Sequence, residues 1–256
     1  MKMFLILVLL VWITGCTDIP RDNSLDPKNP NAEAYQTAVF ENFIIHYTNI
    51  DSIPNVIKYS QEASYELKGD YDQRMMILEY HLTPGSYEDS LTSSENESRY
   101  ENEYRGSASR GFPHTFFNGK QTFIQGASST ATVKSRYKNI LDSLTLKKVK
   151  LYCEPFLTIV NGVLTVGGKV ARYGNENIED LVVEMLILEN KGDYLHYTVR
   201  QKLLSQTISQ LSPKEVRDLE NRDFAIPNGY NQNQLSVAIL IKDNISKKIL
   251  QAALAE

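Results

Sequence analysis

The stretch Gly111-Phe112-Pro113-His114-Thr115-Phe116-Phe117-Asn118-Gly119-Lys120-Gln121-Thr122-Phe123-Ile124 decides the fold of this 256-residue chain. Asn118-Gly119 favours a two-residue type I′ turn, because both residues accept a positive φ. The pair lies between aromatic and β-branched runs, so the segment reads as a β-hairpin entered through a proline. Upstream, Met75 to Leu82 is a strand, nearly all apolar at its start, as buried parallel strands are. Asp51-Ser52-Ile53-Pro54 is a helix-start signal, a capping side chain followed by proline in the first turn. Val56, Ile57, Ser60, Ala63, Ser64 and Leu67 then recur at helical spacing, with Gly69 as the expected stop. Val39 to Ile45 is the first strand. Leu82 to Ser94, with Pro84-Gly85, is a loop, and Glu95 to Tyr104 a short helix. Downstream, Tyr137, Ile140, Leu141 and Leu144 form one helical stripe. The order β-α-β-(α)-β-β-α describes a mixed α/β unit over about 34–146.

From Lys147 the period changes to two. Val149, Leu151 and Cys153 alternate with polar neighbours, and Asn161-Gly162 between Leu157–Val160 and Val163–Val166 marks a second hairpin. Leu181–Leu188, Tyr194–Leu204 and Leu235–Ile241 are further strands. Many short strands separated by turns predict a β-sandwich over 147–256. Ser212-Pro213-Lys214-Glu215 has the form of a capping box, which predicts a short helix through Leu219. Glu184 and Arg200 are placed to pair across neighbouring strands, an interaction of about 0.2–1 kcal/mol.

Hydrophobic residues make up 42% of the chain and charged residues 23%, enough apolar content for a core. A net charge of −4 with no basic block argues against a nucleic-acid binder. Two cysteines cannot build a disulfide scaffold or a multi-cysteine zinc site. At the N-terminus, Lys2 precedes an uncharged run from Met3 to Ile13, suited to a secretory h-region and too short to span a bilayer. Ile13-Thr14-Gly15-Cys16 follows and resembles the bacterial lipobox, in which a signal peptidase cuts before a lipidated cysteine. The expected organisation is a signal peptide over 1–15, Cys16 and a tether over 16–33, and the two folded units. The tether reading rests on the turn-rich, apolar-poor run Arg21 to Asn31. Thr17 after the cysteine favours the outer membrane by resemblance to enteric sorting rules.

The element order, with a proline directly before the third strand, resembles a thioredoxin-like fold. Gly111-Phe112-Pro113-His114-Thr115 occupies the place of that fold's glycine–aliphatic–cis-proline–threonine turn. More closely, the chain resembles the thioredoxin-like outer-membrane lipoproteins related to the 28-kilodalton outer-membrane protein family. Val39-Phe40-Glu41-Asn42-Phe43 matches their first strand. Val183-Glu184, His196-Tyr197-Thr198-Val199-Arg200 and Ile249-Leu250-Gln251-Ala252 match later strands, so the resemblance covers about 38–256. It implies an α/β thioredoxin-like domain followed by an all-β immunoglobulin-like sandwich domain. The family's Cys-x-x-Cys-Pro is absent. Aligned on the proline, the degenerate redox position is Ile50-Asp51-Ser52-Ile53-Pro54; a gap-shifted alignment offers Thr48 and Asp51. Neither supplies a thiol that a helix N-terminus could activate.

Cys153, in an alternating strand, reads as a core thiol. His46, His81, His114 and His196 lack metal-ligand spacing, so no metal is expected. His114 stands out because the resemblance places it beside the ligand-facing proline turn Phe112-Pro113-His114. No phosphate loop, nucleophile elbow or Cys–His pair of catalytic spacing is present. The expectation is a lipid-anchored envelope lipoprotein, non-enzymatic and without a cofactor. It would be held to the membrane through its lipid anchor and would bind an extended peptide or an envelope protein partner. The alternative is a thiol-redox accessory acting through Cys153 or a partner's cysteine.

Overall fold

The computed structural model describes residue 29 and residues 32–47, 53–83, 89–107, 109–192 and 194–256. In chain order the elements are β1 (Ala34–Tyr35), β2 (Ala38–Ile44), α1 (Asn55–Tyr71), β3 (Met75–His81) and α2 (Ser94–Ser98), which a π-helical turn continues through Arg99–Tyr104. Then come β4 (His114–Phe117), β5 (Phe123–Gln125), α3 (Thr130–Thr145), β6 (Lys148–Val149), β7 (Leu151–Val160), β8 (Val163–Arg172) and β9 (Ile178–Glu189). The chain closes with β10 (Thr198–Leu211), β11 (Val216–Asp218), β12 (Arg222–Ala225), β13 (Leu235–Asp243) and β14 (Ile249–Ala255). The fold is mixed α/β, with one large sheet and two smaller ones.

The large sheet has eight strands in the order β14-β13-β9-β10-β3-β2-β4-β5. The change of pattern near residue 147 is therefore not a break in the sheet. β10, from the second half, lies parallel to β3, from the first, with Thr198 opposite Glu79. A four-stranded sheet of β7, β8, β11 and β12 faces the β9, β10 and β13 region.

Coverage on both faces explains the unbroken apolar runs. In β9, Leu181, Val183, Met185 and Ile187 point into the core shared with the four-stranded sheet. Leu186 and Leu188 point the other way, into a core with Val39, Phe43, Leu78 and Tyr80 of the first half. β2 and β3 are double-faced too. Ala38, Phe40, Met75 and Ile77 meet Ala63 and Leu67 of α1 and Val133, Tyr137 and Leu141 of α3. A strand with water on neither side has no reason to alternate.

Local chemistry sets several boundaries. Ser93 and Ser129 cap α2 and α3, their hydroxyls accepting the N–H of Asn96 and Thr132 at 3.1 and 3.3 Å. α1 runs two residues past Gly69 and ends where Asp72 takes φ +48° and donates its N–H to the Lys68 carbonyl. Asn161 and Gly162 form the expected two-residue turn, with φ of +51° and +77° between paired Val160 and Val163.

Two expectations are corrected. Asn118-Gly119 does not close a two-residue hairpin: the last pair is Phe116 with Phe123, and Phe117 donates to the Thr122 carbonyl at 2.9 Å. Asn118 is recruited elsewhere. Its side-chain oxygen accepts the Val39 N–H at 2.7 Å, and its main-chain carbonyl accepts the Ile249 N–H at 3.1 Å. Ser212–Glu215 does not start a helix. The Glu215 carboxylate accepts the Ser212 N–H at 2.7 Å, as in a capping box. But Lys214 takes φ +61°, and the chain enters β11, paired with β8.

Candidate functional site

In the chain, the sequence-derived site falls between the C-terminal end of β2 and the start of α1. Ile50, Asp51 and Ser52 lie outside the described residues, as do Ile13, Thr14, Gly15 and Cys16. Ile53 and Pro54 are half-buried, and the Pro54 carbonyl opens α1 by accepting the N–H groups of Ile57 and Lys58 at 2.9 and 3.1 Å.

The Phe112–Pro113 peptide bond is cis. Antiparallel pairing sets His114 opposite Phe43 and brings this turn to the same sheet end. Pro113 is buried, and its carbonyl accepts the Gly126 N–H at 2.8 Å. Phe112 is half-buried, with the Arg110 guanidinium 5.5 Å from its ring centre. Among the described residues, none hydrogen-bonds to the main chain of Phe112. His114 is a buried member of β4. Its Nδ1 lies 3.1 Å from the Tyr100 hydroxyl, and its ring is 4.3 Å from Phe116. Burial pushes its pKa down to about 4, so the imidazole is neutral at neutral pH. Phe123 lies 5.1 Å from His114 and stays half exposed. The turn thus presents the half-exposed Phe123 ring and a Phe112 main chain to which none of the described residues hydrogen-bonds.

Cys153 is elsewhere. It is buried on β7 opposite Val170, and burial pushes its thiol up to about 12. It borders a cavity of about 960 Å³ with Met75, Met76, Lys68 and Asp72, at the opposite end of β3 from the proline turn. His81 Nδ1 is 2.8 Å from buried Asp89, and His46 lies 6.5 Å from His81, ring centre to ring centre. Among the described residues no group of three His, Cys, Asp or Glu side chains could hold a metal ion.

Two buried polar clusters were not legible as such. In the first, Arg99 donates to Glu41 at 2.7 Å and to Glu184 at 2.9 Å, and Lys242 donates to Glu184 at 3.2 Å. Tyr80 and Tyr104 both donate to Glu41. Burial alone would raise the Glu184 carboxyl, but Arg99 and Lys242 hold it at about 2. The expected Glu184–Arg200 pair does not form. Glu184 lies opposite Ser205, while Arg200 sits in a bulge near Glu189, 3.4 Å away. In the second cluster, Glu79 is fully buried and receives Gln61 at 3.1 Å and Tyr65 at 2.9 Å. Desolvation raises its pKa to about 7. The available signal was a lone acid in each apolar run, Glu41, Glu79 and Glu184, since a buried charge demands a partner.

No family model matches the chain, and no curated protein matches it. Among solved structures, HBP35 of Porphyromonas gingivalis is similar with a TM-score of 0.64, covering 86% of this chain and 75% of its own, at 14% identity. A calcium-binding mutant of Bacteroides uniformis beta-glucuronidase 2 covers 41% of this chain and 12% of its own, with TM-score 0.29 and 18% identity. The E. coli curli protein CsgC covers 41% of this chain and 96% of its own, with TM-score 0.26 and 12% identity. At such identity the likeness to HBP35 speaks for the fold alone.

Proposed function

We propose that the chain is a lipid-anchored lipoprotein of the bacterial cell envelope, at the outer membrane, acting as a non-catalytic binding or scaffolding module. Its first half is read as thioredoxin-like and its second as an immunoglobulin-like sandwich joined through the common sheet. One observation carries the reading. At the helix start where such a fold would hold its thiols stand Ile53 and Pro54, while the one thiol among the described residues is buried near the far end of β3. A thiol pushed up to about 12 is protonated at neutral pH and is a poor nucleophile. What this reading places at the proline turn is a docking site for an extended peptide: the main chain of Phe112, to which none of the described residues hydrogen-bonds, beside the half-exposed Phe123.

A photo-crosslinking aromatic at Phe123, exposed beside the turn, should capture a defined envelope partner that the same probe at Val160 does not. Equal capture at both positions contradicts docking at the turn. The anchor rests on Ile13-Thr14-Gly15-Cys16. Stable membrane attachment needs more than one acyl chain, at about 0.8 kcal/mol per buried methylene. Cys16→Ser should release the protein from the membrane fraction or block its processing; normal processing and retention contradict the anchor.

A further inference from the structure

We propose that Glu79, Tyr65 and Gln61 form a proton-dependent latch, which holds the Tyr194–Tyr197 segment against the first half of the sheet while Glu79 is neutral and loosens it on ionisation.

Three acceptor oxygens converge here: both Glu79 carboxyl oxygens and the Tyr194 carbonyl. The Tyr65 hydroxyl lies 2.9 and 3.0 Å from the Glu79 oxygens and 2.8 Å from the Tyr194 carbonyl. A phenol has one proton to give. The Gln61 amide donates one hydrogen to Glu79 and the other to the Tyr194 carbonyl. With Glu79 neutral, its own proton goes to the Tyr65 oxygen, Tyr65 donates to Tyr194, and Gln61 donates to both, so both Glu79 and the Tyr194 carbonyl are tied to Tyr65 and to Gln61. When Glu79 releases its proton to solvent, Tyr65 turns its hydrogen to the carboxylate. The Tyr65 and Tyr194 oxygens then face each other at 2.8 Å with no proton between them. The Tyr194 carbonyl loses its Tyr65 bond while the Gln61 bond stays.

The segment is tied to the joint between the halves. Glu79 donates its N–H to the Tyr197 carbonyl at 2.9 Å, and Thr198 is the β10 residue paired with Glu79. Among the described residues, few other groups face the carboxyl. His81, on its own strand, favours the ionised form; β2 offers the neutral Asn42; α1 offers Gln61 and Tyr65. From the segment, His196 and Tyr197 meet the Tyr65 ring at 4.9 and 5.7 Å, and the Tyr194 hydroxyl donates to Glu62 at 3.1 Å. Desolvation places the Glu79 titration at about 7, within reach of ordinary pH changes. His196 also borders a cavity of about 490 Å³ that includes buried Glu189, so the latch would govern the wall of that cavity.

The test is amide exchange in the full chain, corrected for the intrinsic rate. In the wild type, exchange from Glu79 and Tyr194–Tyr197 should rise about tenfold between about pH 6 and about pH 8, the worth of one hydrogen bond in a buried site. Glu79→Gln, whose amide donates to Tyr65 without titrating, should hold the slow rate at both. Tyr65→Phe should give the fast rate at both. A wild-type rate that stays flat overturns the latch, as does a pH-dependent rise surviving in either variant. Should Glu79→Gln not fold, the carboxyl carbon resonance of Glu79 in the wild type decides: a midpoint near the ordinary carboxylate value overturns the proposal.

Discussion

Glu184 and Glu79 are both buried acids in apolar strands, yet their surroundings drive them in opposite directions. Glu184 faces two cations and is held at about 2; Glu79 is raised to about 7 by desolvation, which outweighs His81 and its neutral donors. The sign for stability follows. The folded value of Glu184 lies below its ordinary 4.5, so its stabilisation is full above about 4.5 and is lost as pH falls through about 2. The folded value of Glu79 lies above 4.5, so its contribution is full below about 4.5 and is lost as pH rises through about 7. A urea-denaturation series across pH should show both limbs, with Glu79→Gln removing the upper one. Removing the hub of the first cluster, Arg99→Met, leaves Glu41 without its cation and Glu184 with Lys242 alone. That should cost about 3–5 kcal/mol in the same measurement at neutral pH. These residues were visible in the sequence, but not their roles. A buried acid announces that it needs a partner. Which partner depends on register, and Arg99 reaches both acids from a helix, not a strand.

Among the elements, strands and long helices were legible because their patterns are local. Val39–Ile45, Met75–Leu82 and the Asn161-Gly162 hairpin come within a residue or two of the observed bounds. The misread elements are those where a distant partner outweighs the local preference. Asn118-Gly119 has the residues of a tight turn, yet Asn118 serves as a tie between β2 and the start of β14. Gly119 remains essential for another reason. It takes φ +102°, and a Cβ there would meet the Lys247 carbonyl oxygen at 2.8 Å. Gly119→Ala should therefore cost about 1–3 kcal/mol, read as a lowered urea midpoint with an unchanged slope. A loss of a few tenths would contradict the close approach. Ser212–Glu215 makes the same point: a helix-start bond forms, and pairing with β8 still draws the chain into a strand.

Across the whole molecule, the sheet joins what the sequence divides. The change from helical to alternating pattern near 147 is real, but β3 and β10 meet across more than a hundred residues, and no local pattern encodes that contact. The union covers β2 and β3 on the face opposite α1 and α3 and encloses the Arg99 cluster. It also separates Cys153 from the proline turn. That separation underlies the central claim, binding without thiol catalysis, and disulfide reduction tests it most directly. The chain from Thr17 onward, supplied with a dithiol reductant, should reduce insulin no faster than buffer with the same reductant. Reduction above that rate which disappears in Cys153→Ala would contradict the account and make the protein a thiol enzyme.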